Sequence, residues 1–152
     1  MRELFDLAEG RLGVPLLDED GIAEVLRTTR RIAMIGASSN PARPSHGVFR
    51  YLRAVGYDVV PVNPAETEVA GVAAYSTLAA AVAATGPFEL VDVFRRPEFC
   101  PEHAREAVAA GARCLWLQLG IVSAEAARIA AAGGLEVVMD RCTKVEHARL
   151  LG

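Results

Sequence analysis

The chain has 152 residues, enough for one domain with a proper hydrophobic core. A net charge of −3 and the lack of a long basic stretch argue against general nucleic-acid binding. Charged residues or proline interrupt every long apolar run, and acidic residues stand near the N-terminus, so we expect a cytoplasmic protein that neither spans nor binds a membrane. The three cysteines do not indicate a disulfide framework.

Helical patterns alternate with apolar strands along the chain. In order, the predicted elements are a helix at 18–30, a strand at 31–35, a helix at 45–55, a strand at 58–62, a loop with Gly71, a helix at 78–84, a strand at 90–94, a helix at 101–110, a strand at 114–119, a helix at 123–132 and a strand at 135–139. Near-continuous apolar strands between helices are typical of a parallel sheet covered on both faces.

This alternation predicts an α/β fold with a doubly wound, mostly parallel, five-stranded Rossmann-like sheet. We expect residues 18–152 to form this single domain. Residues 1–17 are predicted to be an N-terminal extension that frays or packs against a partner. The extension allows a homodimer or an unidentified protein partner without requiring either.

The segment after the first strand carries the clearest functional signal. The strand breaks at Gly36, and a small polar loop with two prolines and Arg43 leads into a helix near Ser45. Gly36 permits a tight turn and close approach of a ligand, and the N–H groups at a helix start favour an anion. Hydroxyls such as that of Ser38 and a guanidinium suit phosphate. The loop therefore predicts a site for a phosphate-bearing ligand.

Polar residues and arginines also follow the other predicted strands. They are Asn63-Pro64, Arg95-Arg96, Gln118 with Gly120, and Asp140-Arg141-Cys142. Some of these would serve as caps and turn residues in any α/β domain. The carboxyl ends of the strands line one crevice in this fold class, so their concentration there favours a ligand site.

NAD is the first candidate ligand. Its fingerprint would place glycine where Ser38 and Pro41 stand, and a carboxylate directly after the second strand. That strand is followed by Asn63-Pro64, and no carboxylate comes before Glu66. Both departures weaken the NAD prediction. An NAD-type nucleotide-binding enzyme or redox sensor remains an alternative.

Five sequence blocks in order resemble the stand-alone CoA-binding domain family. They are G-A-S-S-N-P-A-R-P-S, G-Y-D-V-V-P-V-N-P, V-D-V-F-R-R-P-E, W-L-Q-L-G and V-V-M-D-R-C-T-K-V-E-H. The chain is also similar, over about 22–150, to the CoA-binding N-terminal domain of the succinyl-CoA synthetase alpha subunit and of ADP-forming acyl-CoA synthetases. The resemblance implies that the ligand is coenzyme A or an acyl-CoA.

The resemblance also implies a position for each part of the ligand. The residues expected at the phosphates are Gly36, Ala37, Ser38 and Arg43, with Ser45 in the same loop. Those expected on the adenosine side are Val62, Asn63 and Pro64, with Phe94, Arg95 and Arg96 bordering the same cleft. Gln118 and Gly120 are expected near the pantetheine arm.

No catalytic or metal-binding residue is predicted. The larger synthetases use a phosphorylated histidine in a separate domain and an ATP-grasp part, so the resemblance does not extend to ligase activity. Cys142 and His147 lack a visible third partner, which favours packing over nucleophilic catalysis. Cys100 and His103 have a metal-like spacing, but no second pair of ligands stands near them in the sequence, and such sites need three or four ligands. A further alternative is an interaction module whose partner supplies the chemistry.

Overall fold

The computed structural model describes residues 14–152, which form a five-stranded parallel sheet covered by helices. In chain order the elements are α1 (Glu19–Thr28), β1 (Arg31–Ile35), α2 (Pro44–Ala54), β2 (Asp58–Val62), β3 (Glu68–Val69), β4 (Val72–Ala73), α3 (Leu78–Thr85), β5 (Leu90–Val93), a 3₁₀ turn (Pro97–Phe99), α4 (Cys100–Ala109), β6 (Cys114–Leu117), α5 (Ala124–Ala132), β7 (Glu136–Val138) and α6 (Thr143–Leu150). The predicted doubly wound, Rossmann-like fold is confirmed.

The strand order β2-β1-β5-β6-β7 creates the place for a ligand. The chain leaves β1 toward β2 at one edge and then returns to build β5 on the other side of β1. The loops after β1 and β5 therefore run in opposite directions and leave a crevice outside the strand ends. Backbone bonds hold this point together: the Gly36 N–H donates to the Val62 carbonyl and the Phe94 N–H to that of Ile35, both over 2.8 Å.

The strand side chains alternate between two apolar layers, as the period of a β-strand requires. Ala33 and Ile35 face the layer that contains α3, α4 and α5. Ile32 and Met34 face the layer that contains α1, α2 and α6, where Trp116 is fully buried. Helices thus cover both faces, which explains why the strands are apolar on both sides.

The segment predicted as a loop between the second strand and the next helix contains a small antiparallel hairpin. Strands β3 and β4 have two residues each and pair through Val69 and Val72. Ala70 and Gly71 form the turn, with φ angles of 49° and 82°. Two-residue strands are too short to show an alternating pattern, so the sequence analysis missed them.

The predicted boundaries otherwise shift by a few residues. Helix α1 begins after Asp18 because the Asp18 carboxylate accepts a hydrogen bond from the Gly21 N–H (2.8 Å) and caps the helix. The last helix, α6, follows β7; the sequence indicates a terminal helix that begins or is capped at Glu146 and His147, without giving its bounds.

Most of the predicted N-terminal extension lies outside the described residues. Of its last four residues, Val14 is buried in the core. The Leu17 N–H donates to the Val137 carbonyl over 3.1 Å, so this segment runs beside β7. No helix within 14–152 is long and apolar enough to cross a membrane.

Candidate functional site

A cleft of about 810 Å³ opens at the carboxyl ends of β1, β5 and β6. This volume lies in the usual range for small-molecule and cofactor sites. Ten of the thirteen predicted site residues line it: Gly36, Ser38, Arg43, Ser45, Asn63, Phe94, Arg95, Arg96, Gln118 and Gly120. It is also lined by Pro44, Val48, Ala65, Glu66, Pro97, Leu119, Ile121 and Cys142.

The remaining three predicted residues do not line the cleft. Ala37 is fully buried, and its carbonyl accepts a hydrogen bond from the Asn63 side-chain amide over 2.9 Å. Val62 is buried at the end of β2, and Pro64 is exposed beyond Asn63. Ala37 and Val62 support the cleft from beneath, because each holds a neighbouring loop through its backbone.

Gly36 lies where the loop after β1 touches the loop after β5. Its φ angle of +88° belongs to the left-handed region that side chains disfavour. A Cβ atom on Gly36 would stand 3.0 Å from the Phe94 carbonyl carbon and overlap the oxygen, with Arg95 Cδ at 3.3 Å. Glycine is therefore required here by backbone conformation and by contact.

Hydrogen bonds within the loop after β1 fix its shape. The buried Ser45 hydroxyl, in the first turn of α2, accepts from the Ser38 N–H over 3.1 Å and keeps its own proton to donate. His46 Nδ1 lies 2.9 Å from the Ser38 carbonyl oxygen, so Nδ1 carries the proton and donates. The Ser38 hydroxyl accepts from the Asn40 N–H over 3.1 Å. The loop is preorganised next to the N-terminus of an 11-residue helix, where N–H groups favour an anion.

Three arginines line the cleft. Arg43 is exposed at the N-cap of α2, and its side chain does not cap the helix. The Arg95 and Arg96 guanidinium carbons lie 4.6 and 5.3 Å from the centre of the Phe99 ring. Within 14–152, neither Arg43 nor Arg95 makes an ion pair, and Arg96 makes a long exposed one with Glu98 (3.9 Å). Their charges are therefore available to an anionic ligand.

Glu66 lines the cleft but is not among the predicted site residues. The turn at Asn63 brings it back, since the Glu66 N–H donates to the Asn63 carbonyl over 3.2 Å. The Glu66 carboxylate accepts from the Ser39 N–H (2.7 Å) and the Ser39 hydroxyl (2.8 Å). These bonds hold the pKa of Glu66 below its usual value and tie the loop after β2 to the loop after β1. The Asn-Pro pair was the sequence signal for this turn.

At the other end of the cleft, the buried Gln118 connects β6 to α6. Its Oε1 atom accepts from the Thr143 N–H over 2.9 Å, and its amide nitrogen lies 3.7 Å from Cys142 Sγ. Both ends of the amide therefore have protein partners. Gln118 shapes this wall of the cleft and positions the partly exposed Cys142.

Asp92 lies beneath this wall and was missed by the sequence analysis. Its carboxyl is fully buried, and Oδ2 accepts from the Thr143 hydroxyl over 3.0 Å. Burial raises the pKa of Asp92 to about 8, so the carboxyl is mostly protonated at neutral pH. Its only sequence signal was an acidic residue within the apolar strand L-V-D-V.

Cys142 and His147 have separate partners. His147 Nδ1 lies 2.8 Å from the Tyr51 hydroxyl, and its ring packs edge-on against Tyr51 and Tyr57. Burial lowers the pKa of His147. Within the described part of the chain, no hydrogen bond joins the thiol to this imidazole.

A family model for the CoA binding domain matches residues 30–148. The chain belongs to the CoA-binding domain family. The resemblance carried by the five sequence blocks is thereby confirmed. The match includes every predicted site residue, from Gly36 to Gly120.

Several proteins of similar size resemble this chain in sequence and structure. This CoA-binding domain is 41% identical over 127 residues to the uncharacterized protein YneT of Bacillus subtilis (strain 168). The alignment covers 84% of this chain and 92% of that protein. A hypothetical protein from Pyrococcus horikoshii OT3 has a TM-score of 0.84 at 38% identity, covering 90% of this chain and 94% of that one. The cell-free ID.343 protein from Thermus thermophilus has a TM-score of 0.81 at 37% identity, covering 89% and 100%.

Proposed function

We propose that this protein binds CoA or an acyl-CoA in the cleft, with the phosphates of the ligand at the loop after β1. The observation that carries the proposal is that Arg43, Arg95 and Arg96 all line one cleft of about 810 Å³. Pro44 and Ser45, in the first turn of α2, line the same cleft. CoA carries a diphosphate and a 3′-phosphate, which suit several arginines and a helix start. Membership in the CoA-binding domain family supports this ligand.

The residues that line the cleft suggest one orientation for the ligand. Gly36 and Ser38 offer a close backbone approach to the phosphates, and Asn63 borders the adenosine on the β2 side. The pantetheine arm then extends along Gln118 and Gly120 at the end of β6. The proposal is for binding without an assigned reaction.

Calorimetric titration of the purified full chain with CoA, acetyl-CoA, NAD and ATP tests this function. We expect the CoA species to bind and to raise the melting temperature, because only they combine the adenosine phosphates with a pantetheine arm. Dephospho-CoA, which lacks the 3′-phosphate, should bind more weakly than CoA. Binding of NAD without any response to CoA would contradict the proposal and would favour the NAD alternative.

Arg43→Ala and Arg95→Ala are each expected to weaken CoA binding by about 1–3 kcal/mol, the usual contribution of a charged hydrogen bond. Arg50→Ala is the matched control, because Arg50 is exposed on α2 and does not line the cleft. Calorimetry on the three variants measures the effect. Affinities equal to that of the control in both cleft variants would refute the proposed position of the phosphates.

A further inference from the structure

A second cleft, of about 510 Å³, adjoins the first one. Leu119 and Cys142 line both clefts, so the two spaces meet at the end of β6. The walls of the second cleft come from the segment before α1, the end of β7 and the first half of α6. Its apolar walls include Leu16, Leu17, Val138, Met139 and Val145.

Exposed apolar side chains mark the border of this second cleft. Among residues 14–152, the exposed large apolar side chains are Leu119 (68%), Val145 (53%) and Val55 (42%). Leu119 and Val145 both line the second cleft, whereas Val55 lies at the C-terminal end of α2 and lines neither cleft. Apolar surface grouped beside a cleft favours an apolar ligand group that would cover it.

The charges of the second cleft disfavour an anion. Three carboxylates line it, those of Asp18, Asp140 and Glu146, against one guanidinium, that of Arg141. Arg141 is already paired with Glu146 over 2.8 Å. An additional carboxylate from a ligand would therefore meet like charges without an unpaired cation.

We propose that the second cleft receives the acyl group of an acyl-CoA and selects neutral aliphatic acyl groups over those that end in a carboxylate. This inference rests on the proposed function, because it needs the pantetheine arm to run along Gln118 and Gly120. The thioester then lies near the shared wall at Leu119 and Cys142, and the acyl chain continues between Val145 and the segment before α1. The ligand class is a short, uncharged acyl-CoA.

A hydrogen bond from a backbone N–H to a side-chain carboxylate holds the shared wall in place. The Asp140 carboxylate accepts from the Gly120 N–H over 2.6 Å and so fixes the loop after β6 beside the loop after β7. Asp140 has a φ angle of 60°, which non-glycine residues rarely adopt. This bond sets the passage between the two clefts.

Calorimetric titration of the full chain with CoA, acetyl-CoA, butyryl-CoA and succinyl-CoA tests the inference. Butyryl and succinyl groups have the same number of carbons and differ at the end of the chain. Butyryl-CoA is expected to bind roughly 4- to 10-fold more tightly than acetyl-CoA, since each buried methylene contributes up to about fourfold. Succinyl-CoA is expected to bind roughly 10-fold more weakly than butyryl-CoA because of the carboxylates in the cleft.

Val145→Asp should abolish the preference for butyryl-CoA and leave the affinity for CoA unchanged. Val55→Asp is the matched control, since it adds the same charge at another exposed valine that borders no cleft. Thermal unfolding of both variants verifies that they fold. Equal affinities for acetyl-CoA and butyryl-CoA, tighter binding of succinyl-CoA, or an unchanged butyryl preference in Val145→Asp would overturn this inference alone. Lack of binding by all four ligands would overturn the proposed function together with it.

Discussion

Gly36→Ala is expected to weaken CoA binding by at least about 100-fold and to lower the free energy of unfolding by roughly 2–4 kcal/mol. Two causes act together. A residue with a side chain is strained at a φ angle of +88°, and the new Cβ atom would overlap the carbonyl oxygen of Phe94. The loops after β1 and β5 would have to separate, which moves Ser38 and Arg95 apart at the phosphate end of the cleft.

Gly111→Ala separates the two causes. Gly111 has a φ angle of +71°, yet a Cβ there would meet no atom within 4 Å, and it lies after α4, outside the cleft. This control is expected to lose about 1 kcal/mol of stability from backbone strain and to keep the CoA affinity of the wild type. Urea denaturation and calorimetry on both variants measure the two effects. If Gly36→Ala bound CoA as tightly as Gly111→Ala does, close backbone approach at Gly36 would have no part in binding.

The sheet could be predicted from the sequence because its strands are apolar runs with clear ends. The bounds predicted for the first two strands agree with β1 and β2, since Gly36 and Asn63-Pro64 interrupt the runs. Alternation with helices and right-handed crossovers then predicted a parallel, doubly wound sheet. The hairpin β3–β4 could not be predicted in this way, because its pairing rests on a tight turn at Ala70-Gly71 and on two residues per strand.

Most of the cleft could be located from the sequence because strand ends in this fold meet at one edge. The directions of individual side chains could not. Ala37 and Val62 are sequence neighbours of cleft residues, but both are buried in the apolar layers. Glu66 enters the cleft only because the chain turns at Asn63. Position along the sequence thus indicates the edge of the sheet, while local turns decide which side chains reach the cleft.

Asp92 shows a different limit, because its environment depends on a distant segment. Its partner Thr143 is 51 residues away, at the start of a terminal helix whose bounds the sequence does not give. The other carboxyl oxygen, Oδ1, has no hydrogen-bond partner among the described residues. A buried carboxyl with one bond is more stable protonated than ionised, which is why its pKa rises to about 8.

The raised pKa of Asp92 predicts that the protein becomes less stable as the pH rises. The folded state holds this proton up to about pH 8, whereas the unfolded chain releases it near pH 4. The contribution of the protonated carboxyl is fully present below the unfolded pKa and is lost as the pH rises through the folded pKa. Over the whole interval the free energy of unfolding falls by something on the order of 5 kcal/mol.

Asp92→Asn is expected to abolish this pH dependence, because the amide is neutral at every pH and has nearly the same shape. Between pH 6.5 and 8.5, wild-type stability in urea denaturation should fall by about 2 kcal/mol, and that of the variant should stay level. The window lies between the ranges in which three other groups affect stability: burial lowers the pKa of His147, which acts below its unfolded value of 6.5, and burial raises those of Cys100 and Cys114, which act above their unfolded value of 9.0. Asp58→Asn, which removes an exposed carboxylate paired with Arg31, should keep the wild-type slope. The same slope in Asp92→Asn as in the wild type would mean that the Asp92 carboxyl does not hold its proton in the folded protein and that burial does not raise its pKa.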